Sequence, residues 1–190
     1  MFKKLLQFLL IVFIVGCNTS DKNKPVVTII TKLGDIEVEL YPQKAPKTVA
    51  AFLKNIKDGA YKDAAFYRVL KADPLPNDHN TGLIQGGVYG SDKRFPSIEH
   101  ESTKQSGLSH TNGIISMARL AAGTASTEFF ICIGDQSPLD YGRRGTADSL
   151  GMAAFGKVIK GMDVVRKIQN QPSNEDRFIS VIKIQNIKID

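Results

Sequence analysis

The chain has 190 residues and carries 25 lysines and arginines against 19 aspartates and glutamates, a formal net charge of +6. The basic residues are scattered, and no basic stripe interleaved with aromatic residues is present, which argues against a nucleic-acid-binding surface. Of the two cysteines, Cys132 lies in the apolar run Phe129–Ile133 and is expected to be a buried core residue, so no disulfide framework is indicated.

The N-terminus has the composition of an export signal. Lys3-Lys4 precedes an uncharged, mostly apolar stretch, Leu5–Val15, which is shorter than the ~20 residues that a membrane-spanning helix needs. Ile14-Val15-Gly16-Cys17 resembles a bacterial lipobox, in which the cysteine is acylated and becomes the first residue of the mature protein. This resemblance implies a signal peptide over residues 1–17 and a lipid anchor on Cys17 that holds the protein to a bacterial membrane, in the periplasm or at the outer membrane. Simple secretion is the alternative.

Residues 18–25 are polar and are predicted to form a flexible tether, which leaves residues 26–190 as one domain. Two strands are predicted at the start of this domain, Val27–Thr31 and Ile36–Leu40. Gly34-Asp35 between them favours a tight hairpin turn.

Two helices are predicted from the spacing of apolar residues. In Pro46–Gly59 these residues recur at i, i+3, i+4 and i+7, and the final glycine is placed as a stop; Gly161–Ile168 is a shorter helix. The C-terminal isoleucines change phase, which predicts a β-bulge near Gln185-Asn186. Many short strands with two helices fit a mainly β protein built as a closed barrel capped by helices.

Four short motifs follow one another along the domain: Phe66-Tyr67-Arg68-Val69, Gln85-Gly86-Gly87, Glu128-Phe129-Phe130-Ile131 and Phe155-Gly156-Lys157-Val158. In this order they resemble the cyclophilin family of peptidyl-prolyl cis/trans isomerases, and the resemblance covers Val26 to Asp190. It implies a closed eight-stranded antiparallel β-barrel capped by two α-helices. It also implies an isomerase that acts on proline-containing polypeptide segments without a cofactor.

Arg68 is the predicted catalytic residue. Rotation about the X–Pro bond is slow because amide resonance is lost as the bond twists, with a barrier of roughly 18–20 kcal/mol. A guanidinium that donates toward the prolyl nitrogen would favour the twisted amide, whose lone pair is released. Arginine keeps its charge at any working pH and offers a rigid fork of donors.

The resemblance assigns the other site residues by motif. Phe130 would form the floor of the proline pocket, and Leu83 and Leu139 its walls. Gln85 would support Arg68 and touch the substrate backbone. The main chain of Ala118 and Arg119 would pair with the bound peptide like an added strand. Phe66, Glu128 and Met152 complete the predicted substrate-binding set.

The chain departs from the family pattern around the groove. Where the family usually has phenylalanine, methionine, glutamine, tryptophan and histidine, this sequence carries Gly82, Leu83, Glu128, Pro138 and Met152. These changes thin the aromatic wall and predict weak binding of cyclosporin-type inhibitors. Lys71–Thr81 and Tyr141–Gly151 are predicted to be long loops beside the groove.

Glu128 has two predicted outcomes. It pairs with Arg68 and orients the guanidinium, or it draws that charge away from the prolyl nitrogen and repels acidic peptides. Arg119 is expected to add a compensating positive group near the same groove.

The remaining ionisable residues suggest no second chemistry. His79, His100 and His110 are not spaced as zinc ligands, so no metal site is predicted, and solvated loop positions are expected for them. Glu99 and Glu101 are expected to be surface charges.

The sequence therefore predicts a lipid-anchored, monomeric peptidyl-prolyl isomerase that assists the folding of exported proteins. The alternative is a non-catalytic binding module of the same fold, which holds proline-containing segments or a fixed envelope partner.

Overall fold

The computed structural model describes residues 24–74, 80–88 and 95–190. The predicted signal with Cys17, most of the tether and His79 lie outside the described residues. Within these ranges the strands are β1 Val26–Thr31, β2 Gly34–Leu40, β3 Ala65–Pro74, β4 Asn80–Gly87, β5 Ile114–Met117, β6 Phe129–Ile133, β7 Ala153–Lys160, β8 Ser173–Asn174 and β9 Arg177–Ile189. The helices are α1 Pro46–Lys57, α2 Thr103–Ser106 and α3 Met162–Gln169, with 3₁₀ turns at Ala60–Asp63 and Ser137–Leu139.

Eight of these strands close into an antiparallel barrel. The order around it is β1-β2-β7-β5-β6-β4-β3-β9, and β9 pairs back with β1, while the two-residue β8 adds only to β9. Helices α1 and α3 pack their apolar residues against the barrel core, and α2 is a single turn. The predicted mainly β barrel with two capping helices is confirmed.

Aromatic side chains fill the barrel interior. Phe52, Phe66, Phe129 and Phe155 are fully buried there, and Phe52 meets Phe155 with ring centroids 5.0 Å apart and Phe129 edge-on at 5.8 Å. Such tilted and edge-on pairs stabilise a core beyond the burial of their area. We call this set, with the aliphatic residues around it, the interior cluster.

The first hairpin turns two residues earlier than predicted. Thr31 is paired with Gly34, so the turn residues are Lys32 and Leu33 and the prediction of a Gly34-Asp35 turn is wrong. Gly34 instead opens β2 with φ +130°, and a Cβ there would lie 2.7 Å from Val164 Cγ2. The glycine is therefore required for the close approach of α3.

Helix α1 starts and stops where its sequence predicts. Pro46 occupies the first turn, where its missing N–H is not needed, and Gly59 follows the helix in the left-handed region at φ +71°. Helix α3, Met162–Gln169, confirms the shorter helix predicted over Gly161–Ile168.

The amino end of α1 is capped from a distant loop. Ala45 has no polar side chain, and Glu101 accepts hydrogen bonds from the Lys47 and Thr48 backbone nitrogens at 3.1 and 2.8 Å. Glu101 is 7% exposed, so the expectation of a surface charge is wrong for it, whereas Glu99 is exposed and pairs with Lys47.

The C-terminal bulge is confirmed. Ile30 faces Asn186 and Thr31 faces Ile184, so Gln185 is the extra residue of β9.

The predicted loop Lys71–Thr81 is wrong at its ends, because β3 continues to Pro74 and β4 starts at Asn80; residues 75–79 lie outside the described residues. Tyr141–Gly151 is a loop, as predicted.

Cys132 is free and fully buried, as predicted, and burial raises the pKa of its thiol. Helices that combine the length and the apolarity needed to cross a bilayer are not found among the described residues.

Candidate active site

A second, smaller apolar cluster lies apart from the interior cluster. Its buried members are Leu83, Ile114, Phe130, Cys132 and Ala154, and Leu108, Ala118, Leu139 and Met152 pack against them. We call it the groove cluster. Because successive side chains of a strand point to opposite faces, Phe129 of β6 enters the interior cluster while Phe130 enters the groove cluster. Five predicted substrate-binding residues are thus brought together: Leu83, Ala118, Phe130, Leu139 and Met152.

Arg68 is held between an acceptor on the neighbouring strand β4 and one in the turn that joins β8 to β9. Its Nε donates to Asp176 Oδ2 at 2.7 Å and its Nη1 donates to Gln85 Oε1 at 3.0 Å. The side chain is 32% exposed, and its Nη2 has no acceptor among the described residues. Gln85 therefore supports Arg68 as the family resemblance implies, and two of the three guanidinium nitrogens have acceptors among the described residues.

A β-bulge at Tyr67 brings its ring to the same side as Arg68. Phe66 faces Gly86 and Arg68 faces Gln85, so Tyr67 is an extra residue on β3. Its hydroxyl accepts a hydrogen bond from Gln85 Nε2 at 2.7 Å and donates one to Glu128 Oε2. Sequence reasoning missed Tyr67, because simple alternation would put it opposite its neighbours.

Glu128 reaches Arg68 only through Tyr67 and Gln85, so the predicted direct pair with Arg68 is wrong, while the predicted repulsion of acidic peptides stays a prediction. The direct ionic partner of Arg68 is Asp176, which is 108 positions away and gave no sequence signal. The Arg68 hydrogen bond lowers the pKa of the Asp176 carboxyl. Burial raises the pKa of Glu128, and hydrogen bonds from Tyr67 and Thr127 partly offset the shift.

Arg119 is not a free charge in the groove. Its side chain is 2% exposed, and Nη1 and Nη2 donate to the two oxygens of Asp148 at 2.8 and 2.9 Å. Nη2 also donates to the Gly151 carbonyl at 2.6 Å. The expected compensating role is therefore wrong for this side chain, which fastens the Tyr141–Gly151 loop to the end of β5.

Phe66 is not brought together with the other predicted site residues. It is fully buried in the interior cluster and packs edge-on against Phe129 at 5.9 Å. Gly86 permits this packing, because a Cβ there would lie 2.8 Å from Phe66 Cδ1. Phe66 thus supports the strand that carries Arg68 from inside the barrel.

His110 lies beneath the pocket floor and is fully buried, so its expected loop exposure is wrong. Its ring stacks on Phe130 with centroids 5.8 Å apart, Nδ1 lies 2.6 Å from Asp140 Oδ1, and Nε2 lies 3.0 Å from Ser116 Oγ. Burial lowers the pKa of His110, and Asp140 opposes that shift. These distances match those of a nucleophile, base and acid, but Ser116 is also fully buried, so a substrate carbonyl cannot reach it.

His100 is half-buried, with Nε2 3.2 Å from the Leu150 carbonyl oxygen. Groups of three or more His, Cys, Asp or Glu side chains able to hold a metal ion do not occur among the described residues.

The fold and the site together define a class of protein. A closed β-barrel carries, apart from its interior core, an apolar cluster around Phe130 and, beside it, an arginine whose donors are fixed by a glutamine and an aspartate. An apolar cluster next to a fixed hydrogen-bond donor suits the recognition of a proline-sized apolar group.

Comparison with known proteins identifies the family. The family model "Cyclophilin type peptidyl-prolyl cis-trans isomerase/CLD" matches residues 26–189, and the chain belongs to this family. It is 36% identical to the peptidyl-prolyl cis-trans isomerase of Acinetobacter baylyi over 164 residues, covering 84% of this chain and 79% of the relative. It is also 36% identical to peptidyl-prolyl cis-trans isomerase A of Dickeya dadantii, covering 86% and 83%.

A similar fold is known from a crystal structure. The cyclophilin type peptidyl-prolyl cis-trans isomerase of Cryptosporidium parvum matches with a TM-score of 0.70 and 27% identity, covering 88% of this chain and 98% of the other. That protein has also been crystallised in the presence of the dipeptide Ala-Pro.

Proposed function

We propose that this chain is a lipid-anchored peptidyl-prolyl isomerase of the bacterial cell envelope, that it assists the folding of exported proteins, and that Arg68 is its catalytic residue. The observation that carries the catalytic part is the position of the guanidinium, fixed between Gln85 and Asp176 at the edge of the groove cluster. Membership of the isomerase family supports the reaction itself.

Isomerisation requires that the site bind the twisted amide, and it requires no covalent step. The reaction breaks no covalent bond, and its barrier of roughly 18–20 kcal/mol is the loss of amide resonance. A site accelerates it by binding the twisted amide more tightly than either planar form. The groove cluster supplies an apolar seat for the pyrrolidine ring, with Phe130 as its floor.

Arg68 supplies the preference for the twisted form. In the planar amide the prolyl nitrogen has no available lone pair, whereas in the twisted amide it accepts a hydrogen bond. Asp176 and Gln85 occupy Nε and Nη1, so Nη2 is the donor that we assign to this nitrogen. Because two of its donors are already engaged, the guanidinium needs little reorganisation as the bond twists.

The isomerase activity is tested with a short Xaa-Pro peptide whose cis/trans exchange is followed by NMR. Uncatalysed isomerisation takes tens to hundreds of seconds, and we expect wild-type protein to raise the exchange rate far above this uncatalysed level. Equal rates with and without protein, together with peptide binding, would favour the non-catalytic binding module.

The envelope location rests on the N-terminal sequence. Lys3-Lys4, the apolar stretch Leu5–Val15 and the lipobox-like Ile14-Val15-Gly16-Cys17 support export and lipidation. The folded domain starts at Pro25, whose carbonyl accepts a hydrogen bond from Leu40 N at 2.9 Å. An extended tether from Cys17 would hold the domain within roughly 25–30 Å of the bilayer. Stable anchoring needs more than one acyl chain, and bacterial lipoproteins carry several.

Fractionation of cells that express the full chain tests the anchor. We expect wild type and Arg68→Ala to sediment with membranes, and Cys17→Ser to be released or to keep its signal uncleaved. Arg68→Ala is the matched control, because it changes the site and leaves the N-terminus intact. A fully soluble wild-type protein would contradict the anchor without bearing on catalysis.

A further inference from the structure

The loop Tyr141–Gly151 is fastened to the wall of the proline pocket. Gly145 N donates to the Pro138 carbonyl at 2.8 Å and Met152 N donates to the Leu139 carbonyl at 2.9 Å. A Cβ at Gly145 would lie 2.4 Å from the Pro138 oxygen, so the two main chains are in direct contact. The loop is thus an extension of the pocket rim on the Leu139 side.

Hydrogen bonds within the loop hold it in one conformation. Gly142 N donates to the Ser149 carbonyl at 2.7 Å, and Gly151 N donates to Thr146 Oγ1 at 3.1 Å. The bidentate Arg119–Asp148 pair joins the loop to the end of β5. These contacts fix the backbone of the loop relative to Leu139 and β5.

Two arginines are exposed on this loop. Arg143 and Arg144 directly precede Gly145, and neither has a carboxylate partner among the described residues. A third positive group, Lys104, lies over the ring of Tyr141 at 5.2 Å from its centroid. This side of the pocket therefore carries positive charge that the described part of the protein does not neutralise.

Four described carboxylates around the groove are bonded to other side chains, and a fifth, Asp135, is exposed and accepts a hydrogen bond from Ser137 N at 2.8 Å. Asp140 is bonded to His110, Asp148 to Arg119, Asp176 to Arg68, and Glu128 to Tyr67. None of these carboxylates forms an ion pair with Arg143 or Arg144, so both arginines can pair with a negative side chain of the peptide.

We propose that Arg143 and Arg144 select proline-containing segments that carry an acidic side chain close to the proline, on the flank that lies over the Leu139 side of the pocket. The inference rests on the proposed peptide-binding function of the groove and names its substrate class. Charges of opposite sign across such an interface act on specificity and on the rate of encounter.

The test uses peptides that differ at one position. Glu, Gln or Lys is placed at each of the two positions before and after the proline, and cis/trans exchange and Kd are both measured by NMR. At one or more flanking positions we expect wild-type protein to prefer the Glu peptide over the Lys peptide by about two- to fivefold, the range of exposed charge pairs. The preference should fade near 1 M salt, where the Debye length falls to ~3 Å.

Variants of equal charge locate the effect. Arg143→Gln/Arg144→Gln should bring the Glu to Lys ratio close to one. Lys57→Gln/Lys62→Gln removes two exposed positive charges at the end of α1 and in the following 3₁₀ turn, and should leave the ratio as in wild type. If wild type shows no preference, or if both double variants change it equally, the inference is overturned while the isomerase stands. If exchange is never accelerated but Kd shows the preference and its loss in the loop variant, the isomerase proposal fails and the inference holds.

Discussion

Phe129 and Phe130 are neighbours in one strand and serve different parts of the molecule. Phe129 is fully buried among the rings of the interior cluster, and Phe130 forms the floor of the groove cluster on the other face of β6. The interior cluster closes the barrel with aromatic and aliphatic packing. The groove cluster is smaller and is bordered by Arg68, Gln85, Tyr67 and Glu128.

The comparison separates stability from function by strand face. For inward side chains such as Phe66 and Phe129, the effect of a substitution on stability follows from the volume that is lost, because these rings pack against other rings. Outward side chains such as Arg68 and Phe130 must be judged by what they present to a peptide. Substitutions at adjacent positions of the same strand should therefore have different consequences.

The largest contrast is expected between Phe129→Ala and Phe130→Ala. Truncation of Phe129 leaves a cavity in the closed interior and should lower the free energy of unfolding by about 3–5 kcal/mol. Truncation of Phe130 should destabilise less, since the space opens to the groove, but should lower kcat/KM about 100-fold or more (~2.7 kcal/mol). Urea unfolding and NMR exchange measure the two quantities, and the milder Phe129→Leu provides a folded variant.

If Phe130→Ala were as unstable as Phe129→Ala and still turned over peptide at the wild-type rate, the two faces would not have the roles assigned here.

A smaller loss of stability is expected from removal of the distant helix cap. Glu101→Ala leaves the Lys47 and Thr48 N–H groups without their acceptor and should lower the free energy of unfolding by about 1–2 kcal/mol. Glu99→Gln, at an exposed ion pair, is the control and should stay within about 0.5 kcal/mol. Equal effects in urea unfolding would show that Glu101 is not a specific cap.

The mildest effect is expected at Glu128. A glutamine keeps one acceptor for the Tyr67 hydroxyl and adds donors, so Glu128→Gln should change kcat/KM by about tenfold or less, with an altered peptide preference. A much larger gain would show that the natural carboxylate suppresses catalysis.

The pH dependence at Glu128 follows from its raised pKa. Because the carboxyl binds its proton more tightly in the folded state, its contribution to stability is present below the ordinary value of 4.5 and is lost as the pH rises through the raised pKa. Wild type should therefore lose stability relative to Glu128→Gln across this window in urea unfolding. The opposite slope would contradict the burial of this group.

Local patterns predicted most of the elements, and the family resemblance named the groove residues and the Gln85–Arg68 contact, but neither indicated Tyr67 or Asp176. The apolar spacing of Pro46–Gly59 gave α1, and the phase change of the C-terminal isoleucines placed the bulge at Gln185. The bulge at Tyr67 has no such signal, because it arises from how β3 meets β4.

Long-range partners were beyond sequence reasoning for the same reason. Asp176 meets Arg68 because β9 returns beside β3, and Asp148 meets Arg119 because the loop Tyr141–Gly151 folds back on the end of β5. Glu101 was assigned to the surface because nothing local indicates the helix end that it caps.

The central claim is that Arg68 accelerates isomerisation, and NMR exchange of an Xaa-Pro peptide tests it most directly. Arg68→Ala should lower kcat/KM about 100-fold or more (~2.7 kcal/mol), with peptide Kd changed far less, because the donor acts on the twisted amide. Arg68→Lys keeps the charge but not the planar fork of donors, so its kcat/KM should lie between those of wild type and Arg68→Ala. A folded Arg68→Ala protein that exchanges the peptide as fast as wild type would contradict the account.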